Sequence, residues 1–256
     1  MRAETVSVVG SSPSRVVVIT PIYQTELSEN ERIALTHSFS VLQRHDLFFI
    51  CPRNLQIGYY LEHFPQARYA YYPEDCFLTT QTYSDLLTTA AFYRSFSNYT
   101  HMLIVQSDCI VLRDDLDYWA GSCYDYVGAP WAKVWQFTCP PIGTPFDGRV
   151  FYINVGNGGF SLRRISTCIG VIEELDWFKK RFQSAVEDAF FSFAGQLSGK
   201  FVIPNAVHAA RFSIESEPRV HFNFSGTLPM GTHAWEKWDK EFWLEIFREQ
   251  GIAGLS

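Results

Sequence analysis

The sequence predicts an α/β protein built on a largely parallel sheet. Three observations lead there. The runs VVVIT (16–20), LFFIC (47–51) and MLIV (102–105) are apolar without polar alternation. Such runs suit strands covered on both faces. Segments of helical periodicity lie between them, giving the β-α-β-α rhythm of parallel sheets. Pro21 and Pro52 stop the first two runs. At 256 residues, the chain can bury a sizeable core without disulfide staples.

Residues 1–14 read as a Ser-rich, flexible lead, and 15–256 as one domain. Val16–Thr20 is the first strand. Residues 28–44 carry roughly helical apolar positions, and Ser28 with Glu31 has capping-box spacing. Leu47–Cys51 is the second strand, 56–64 a helix, Arg68–Tyr72 a third strand and 82–97 a helix. Met102–Val105 is the fourth strand, ending in the polar Gln106-Ser107-Asp108. Residues 132–152 hold Pro140, Pro141, Gly143, Pro145 and Gly148, and read as a long binding loop or lid. Residues 166–183 and 186–197 are helical, Phe201–Ile203 is a short strand, and Lys237–Glu249 is a final helix. No internal repeat interrupts this order.

Composition narrows the function. Lys plus Arg is 21 against 27 Asp plus Glu, a net charge of -6, which argues against a nucleic-acid partner. No uncharged apolar run approaches the roughly 18 residues of a membrane helix. The first residues lack a secretory apolar stretch, so a cytoplasmic protein is expected. The Asn98 and Asn223 glycosylation triplets then carry no meaning. Six cysteines without C-x-x-C spacing read as thiols rather than a disulfide framework. Aromatics reach 16%. They fill a core of large rings, or line a cleft that stacks on flat ligands and sugar faces.

Several residues could carry chemistry. Asp108 stands at a strand's carboxyl end, where open α/β sheets bind ligands. There it holds a metal or a ribose, or simply caps the next turn. Arg113-Asp114-Asp115-Leu116-Asp117 reads as a solvated turn and helix start. Gly156-Asn157-Gly158-Gly159-Phe160-Ser161 lacks dinucleotide and Walker spacing and reads as a binding turn, or as a plain turn between a strand and a helix. Glu187-Asp188 opens a helix, where acids complement the dipole or act catalytically. His233 lies in the Gly-containing turn PMGTHAW; the other histidines have no metal-ligand spacing. No nucleophile elbow supports a serine hydrolase.

These pieces occur together in an order that resembles nucleotide-sugar glycosyltransferases of the GT-A fold. They most resemble a bacterial group of short, poorly characterised glycosyltransferase-like domains. The matching segments are VVVITPIY, IVQSDCIVLRDDLDYW, YDYVGAPW, VGNGGFSLRR, VEDAFFSF and LPMGTHAW, spread from residue 16 to residue 235. The resemblance implies a GT-A-like, Rossmann-like domain, with a mixed, mostly parallel central sheet flanked by helices. It places Thr20, Pro21, Ile22 and Tyr23 beside the nucleotide base. Gln106, Ser107 and Asp108 take the place of the D-x-D motif. Trp131, Asn157, Gly158, Gly159 and Phe160 lie along donor and acceptor. Glu187 and Asp188 match the catalytic x-E-D motif, with Asp188 as general base. Asp108 and His233 hold Mn²⁺ or Mg²⁺ on the diphosphate.

Gln106 departs from the usual first acid and leaves metal dependence open. Without a metal, Arg163, Arg164 or Lys133 would have to balance the diphosphate. The implied activity is inverting transfer from a nucleotide-diphosphate sugar, UDP-linked by analogy, to a glycan or glycolipid in bacterial surface polysaccharide synthesis. Peripheral contact with the inner membrane face is compatible with it. The alternatives are a retaining transferase of the same fold, or a non-catalytic carbohydrate-binding module. A sugar nucleotidyltransferase lacks its Gly-rich, Arg-containing loop here. By this resemblance Tyr23, Tyr126, Trp131, Phe160 and Trp235 are the rings that stack on ligand.

Overall fold

The first strand, β1 (Val16–Pro21), shows why the apolar runs lack alternation. Val17 and Ile19 face one core cluster, Val16 and Val18 another. The computed structural model describes residues 15–139, 141, 143–181 and 186–256. The lead expected over 1–14, Pro140, and the end of the helix expected over 166–183 lie outside the described residues.

Helix α1 (Glu29–Val41) starts at the expected capping box. The Ser28 hydroxyl accepts from Glu31 N–H at 3.3 Å, and the Glu31 carboxylate accepts from Ser28 N–H at 2.9 Å. β2 (Asp46–Pro52), α2 (Gly58–His63) and β3 (Arg68–Tyr72) follow close to their expected bounds. A 3₁₀ turn (Glu74–Phe77) leads to α3 (Thr80–Leu87) and α4 (Ala90–Arg94). The one helix expected over 82–97 is therefore two. Thr89 leaves helical geometry, and its side chain caps α4 through Phe92 N–H.

β4 (His101–Val105), β5 (Ile110–Val111) and α5 (Leu116–Gly121) come next. Then come two long strands, β6 (Tyr126–Thr138) and β7 (Val150–Arg164). The remainder is α6 (Ile165–Glu174), α7 (Asp176–Arg181), α8 (Glu187–Leu197), α9 (Ala206–Phe212), β8 (Ser213–Ile214), α10 (Pro218–Ser225), β9 (Gly231–Thr232) and α11 (Lys240–Glu249).

Six strands form the main sheet in the order β3-β2-β1-β4-β7-β6. The first four are mutually parallel, while β7 runs antiparallel to β4 and to β6. One face carries α3, α4, α6, α7 and α8; the other carries α1, α2 and α5. β5, β9 and β8 form a small second sheet beside a third cluster containing Trp235 and Trp243.

Three expectations are corrected. Much of 132–152 is not a loop but the outer part of the β6–β7 hairpin. Large side chains pair across it, Trp135 with Ile153 and Phe137 with Phe151, and this pairing outweighs the nearby turn residues. The glycine segment is not a turn, because β7 runs straight through it. Phe201–Ile203 forms no strand. Val202 instead donates to the Asp125 carboxylate and accepts from Asp125 N–H, each at 2.8 Å.

The rings chiefly build core. Tyr126, Phe160 and Trp235, expected to stack on ligand, are buried to 1% exposure or less. Tyr126 stacks on Phe191, and Phe160 on Phe212. Among the described residues, no helix is long and apolar enough to cross a membrane.

Candidate active site

The parallel strands end at a cavity of about 500 Å³. Pro21 and Tyr23 come from the end of β1 and Glu31 from α1. Phe77, Leu78, Thr79, Thr80 and Tyr83 come from the 3₁₀ turn and α3. Gln106, Ser107 and Asp108 follow β4. Tyr23 is 60% exposed at the mouth. Thr20 and Ile22 do not reach the cavity; both are buried, and Thr20 Oγ1 has no partner among the described residues. Ser107 donates to Glu31 Oε1 at 2.6 Å, which fixes the wall between α1 and the strand end.

A chain of polar groups crosses from Asp108 to Glu215. His233 Nε2 lies 3.3 Å from Asp108 Oδ1 and 2.9 Å from Gln106 Oε1. Its Nδ1 lies 2.8 Å from Glu215 Oε2. Burial works against the imidazolium, but Asp108 and Glu215 outweigh it and raise the His233 pKa to about 10. Burial likewise opposes the Asp108 carboxylate, yet His233 holds its pKa below the ordinary value.

Glu215 carries no sequence signal. It sits in SIESEP, 18 residues before His233, and only the β8–β9 pairing brings the two together.

The second cluster lies at the start of α8. Glu187 forms a buried ion pair with Arg163, which also reaches Ser161 and Tyr93. Arg163 is fully buried. Asp188 follows, its carboxylate accepting from Ala189 N–H at 2.7 Å. Burial first, and then the neighbouring Glu187 charge, raise the Asp188 pKa to about 7. Asp188 also feels the charge of Glu215, and both clusters close on the glycine segment of β7.

The glycines explain how they can. Successive strand positions face opposite ways. A Cβ at Gly158 would meet Glu187 Oε1 at 2.7 Å, and one at Gly159 would strike the His233 ring. One at Gly156 would collide with Ser192 of α8. The segment thus lets side chains close onto bare backbone from both sides. Asn157 is half-buried and pairs with Ala129 of β6.

The structure removes two of the basic residues proposed to balance a diphosphate. Arg163 is engaged with Glu187, and Arg164 pairs with Asp125 at 3.0 Å. Lys133 is exposed on the hairpin. Among the described residues lining the cavity there are two acids, Glu31 and Asp108, and no Lys or Arg. The acids of 113–117 lead into α5 as expected, but they are not all solvated: Asp117 is exposed, whereas Asp114 is 12% exposed, binds Arg44 and accepts from Leu116 N–H at the start of α5.

The donor set fits a divalent cation shared with a ligand. Among the described residues, no three His, Cys, Asp or Glu side chains surround one point. Asp108 and His233 are two, and the Gln106 amide oxygen adds a third donor. Two or three protein ligands plus phosphate oxygens suffice for Mg²⁺ or Mn²⁺. Nε2 faces two oxygens, so a proton or a cation must stand between them. Glu215 on Nδ1 is the outer-shell carboxylate that metal-binding imidazoles usually keep.

The chain belongs to the family described as "Protein of unknown function (DUF5672)", whose model matches residues 66–233. No curated protein sequence matches it. Among solved structures it is similar to the galactosyltransferase LgtC in complex with donor and acceptor sugar analogs. The TM-score is 0.52 at 12% identity, over 91% of this chain and 94% of that one. An active-site mutant of LgtC gives 0.53 at 13%, over 92% and 95%. The shared architecture is the GT-A glycosyltransferase fold that the sequence motifs implied.

Proposed function

We propose that the protein is a glycosyltransferase that moves a sugar from a nucleotide-diphosphate donor to a hydroxyl of a glycan or glycolipid, inverting the anomeric centre. One observation carries the reading. A nucleotide-sized cavity at the strand ends meets Asp108–His233, and α8 brings Asp188 to the same glycine segment of β7 that His233 closes on.

Tyr23 offers a ring to the nucleobase at the cavity mouth, and Pro21 shapes the wall beside it. Asp108, Gln106 and His233 would hold Mn²⁺ or Mg²⁺. When bound, that cation supplies Lewis-acid stabilisation to the charge growing on the diphosphate. The lining favours such an ion, since two carboxylates and no base would otherwise repel a diphosphate.

Asp188 takes the proton of the attacking hydroxyl. The bond from the anomeric carbon to the acceptor oxygen forms as the bond to the diphosphate oxygen breaks. One displacement of this kind inverts the carbon. Glu187 does not reach substrate in this scheme. It neutralises Arg163 and raises the pKa of Asp188. A UDP-linked donor and a role in bacterial surface polysaccharide synthesis, at the inner membrane face, complete the proposal.

Thermal unfolding with UDP, GDP and CMP, with and without Mn²⁺, tests it. One diphosphate should raise the melting temperature in a Mn²⁺-dependent way, as binding to the folded state alone requires. Asp108→Ala should lose that rise. No stabilisation by any nucleotide would favour the carbohydrate-binding module instead.

A further inference from the structure

The β6–β7 hairpin breaks register midway. Pro130 pairs with Val155, but the next pair is Trp135 with Ile153. Four residues of β6, 131–134, therefore stand opposite the single residue Asn154. Bulges of this kind sit preferentially beside active sites, where they re-aim side chains. This one is anchored: Ala132 N–H donates to Ser216 Oγ at 3.1 Å, next in sequence to Glu215.

The bulge carries Trp131 to the catalytic wall. The Trp131 ring edge, the main-chain carbonyl of Asp188 and Ser192 Oγ all crowd the place where Gly156 lacks a side chain. Trp131 is partly buried against the core. Trp135 follows it, with ring centroids 5.8 Å apart and planes tilted by 38°, and is 54% exposed. Two indoles thus lead outward from the first turn of α8, which carries the proposed base, to solvent.

We propose that Trp131 and Trp135 form the acceptor platform, stacking on a pyranose ring of the glycan whose hydroxyl Asp188 deprotonates. This rests on the transferase reading. A pyranose is amphipathic. Its C–H face is covered by an indole, while its hydroxyl rim remains hydrated or hydrogen-bonded. A platform beginning beside the base holds the next sugar with one hydroxyl over Asp188. The exposed ring of Trp135 then reaches a further residue of the same chain. The occupant is a sugar ring, because the two indoles offer flat apolar faces to its C–H face.

Saturation-transfer NMR with methyl β-galactopyranoside, methyl β-glucopyranoside and methyl α-mannopyranoside tests the platform. The wild type should transfer saturation to ring C–H protons of at least one of them. Trp135→Ala should weaken binding of that sugar about fivefold, in keeping with the size of ring-stacking terms. Trp135→Phe, which keeps a ring, should retain most of it. Melting temperatures without ligand check that the variants are folded. No saturation in the wild type, or equal affinity in Trp135→Ala, overturns the platform. UDP stabilisation on the same samples reports the donor side separately. Its absence alongside Trp135-dependent sugar binding overturns the transferase reading and leaves the sugar platform standing.

Discussion

Asp188→Asn lowers donor turnover by about 10³-fold, within the range for loss of a positioned general base. The substitution is nearly isosteric, and the amide oxygen can still accept from Ala189 N–H, so the start of α8 is retained. Proton acceptance and the carboxylate charge are lost, while the local geometry is kept. The pH profile of the wild type gives a second reading. With a pKa raised to about 7, the Asp188 carboxylate is protonated in mild acid and competent above neutrality. Turnover therefore climbs as pH rises through about 7.

Stability moves the opposite way. A group whose folded pKa lies above its unfolded value binds more protons folded than unfolded in the window between them. The Asp188 contribution is therefore lost as pH rises from the ordinary carboxylate range to about 7. Asp188→Asn removes that loss, so its melting temperature in mild alkali should match or exceed that of the wild type. Full turnover in Asp188→Asn would remove the residue from the mechanism.

Glu187→Gln destabilises the fold by about 3–5 kcal/mol, because it leaves a buried guanidinium without its counter-charge. Arg163 has no exposure and Glu187 only 7%. The guanidinium keeps Ser161 and the Tyr93 hydroxyl, the latter at 3.0 Å, and lies over the Tyr126 and Phe191 rings. None of these neutralises it. A loss of that size lowers the melting temperature by about 10 °C in a chain this long. Replacing both partners, Arg163→Met with Glu187→Leu, recovers much of the loss, since neither charge is then stranded. In the folded fraction of Glu187→Gln the activity limb shifts to lower pH, because one cause of the raised Asp188 pKa is gone. An unchanged melting temperature would show that loss of Glu187 does not strand the Arg163 charge.

The parallel half of the fold was legible because its signals are local. The unbroken runs of β1 and β4 mark strands covered on both faces, and Ser28 with Glu31 marks the start of α1. The hairpin was not legible, because Trp135–Ile153 and Phe137–Phe151 pair across a gap of turn residues. The resemblance implied Asp108 beside His233, but not what surrounds them. Glu215 and Arg163 act through contacts far apart in sequence, with His233 and Glu187 respectively. The glycine run suggested ligand against backbone. It instead admits the protein's own Glu187 and His233. Three of the five rings expected to stack on ligand pack the core, because an aromatic inside a motif looks the same whether it faces in or out.

Glycosyl transfer is tested most directly by incubating the protein with UDP-, GDP- and TDP-linked hexoses and Mn²⁺ while following the reaction by proton NMR. Water then stands in for the acceptor. One donor should be consumed, with the nucleoside diphosphate and the free sugar of opposite anomeric configuration appearing first, and Asp188→Asn should abolish both. Release of the sugar with its original configuration would contradict inversion by Asp188. No consumption of any donor, with no nucleotide stabilising the fold, would contradict the transferase itself.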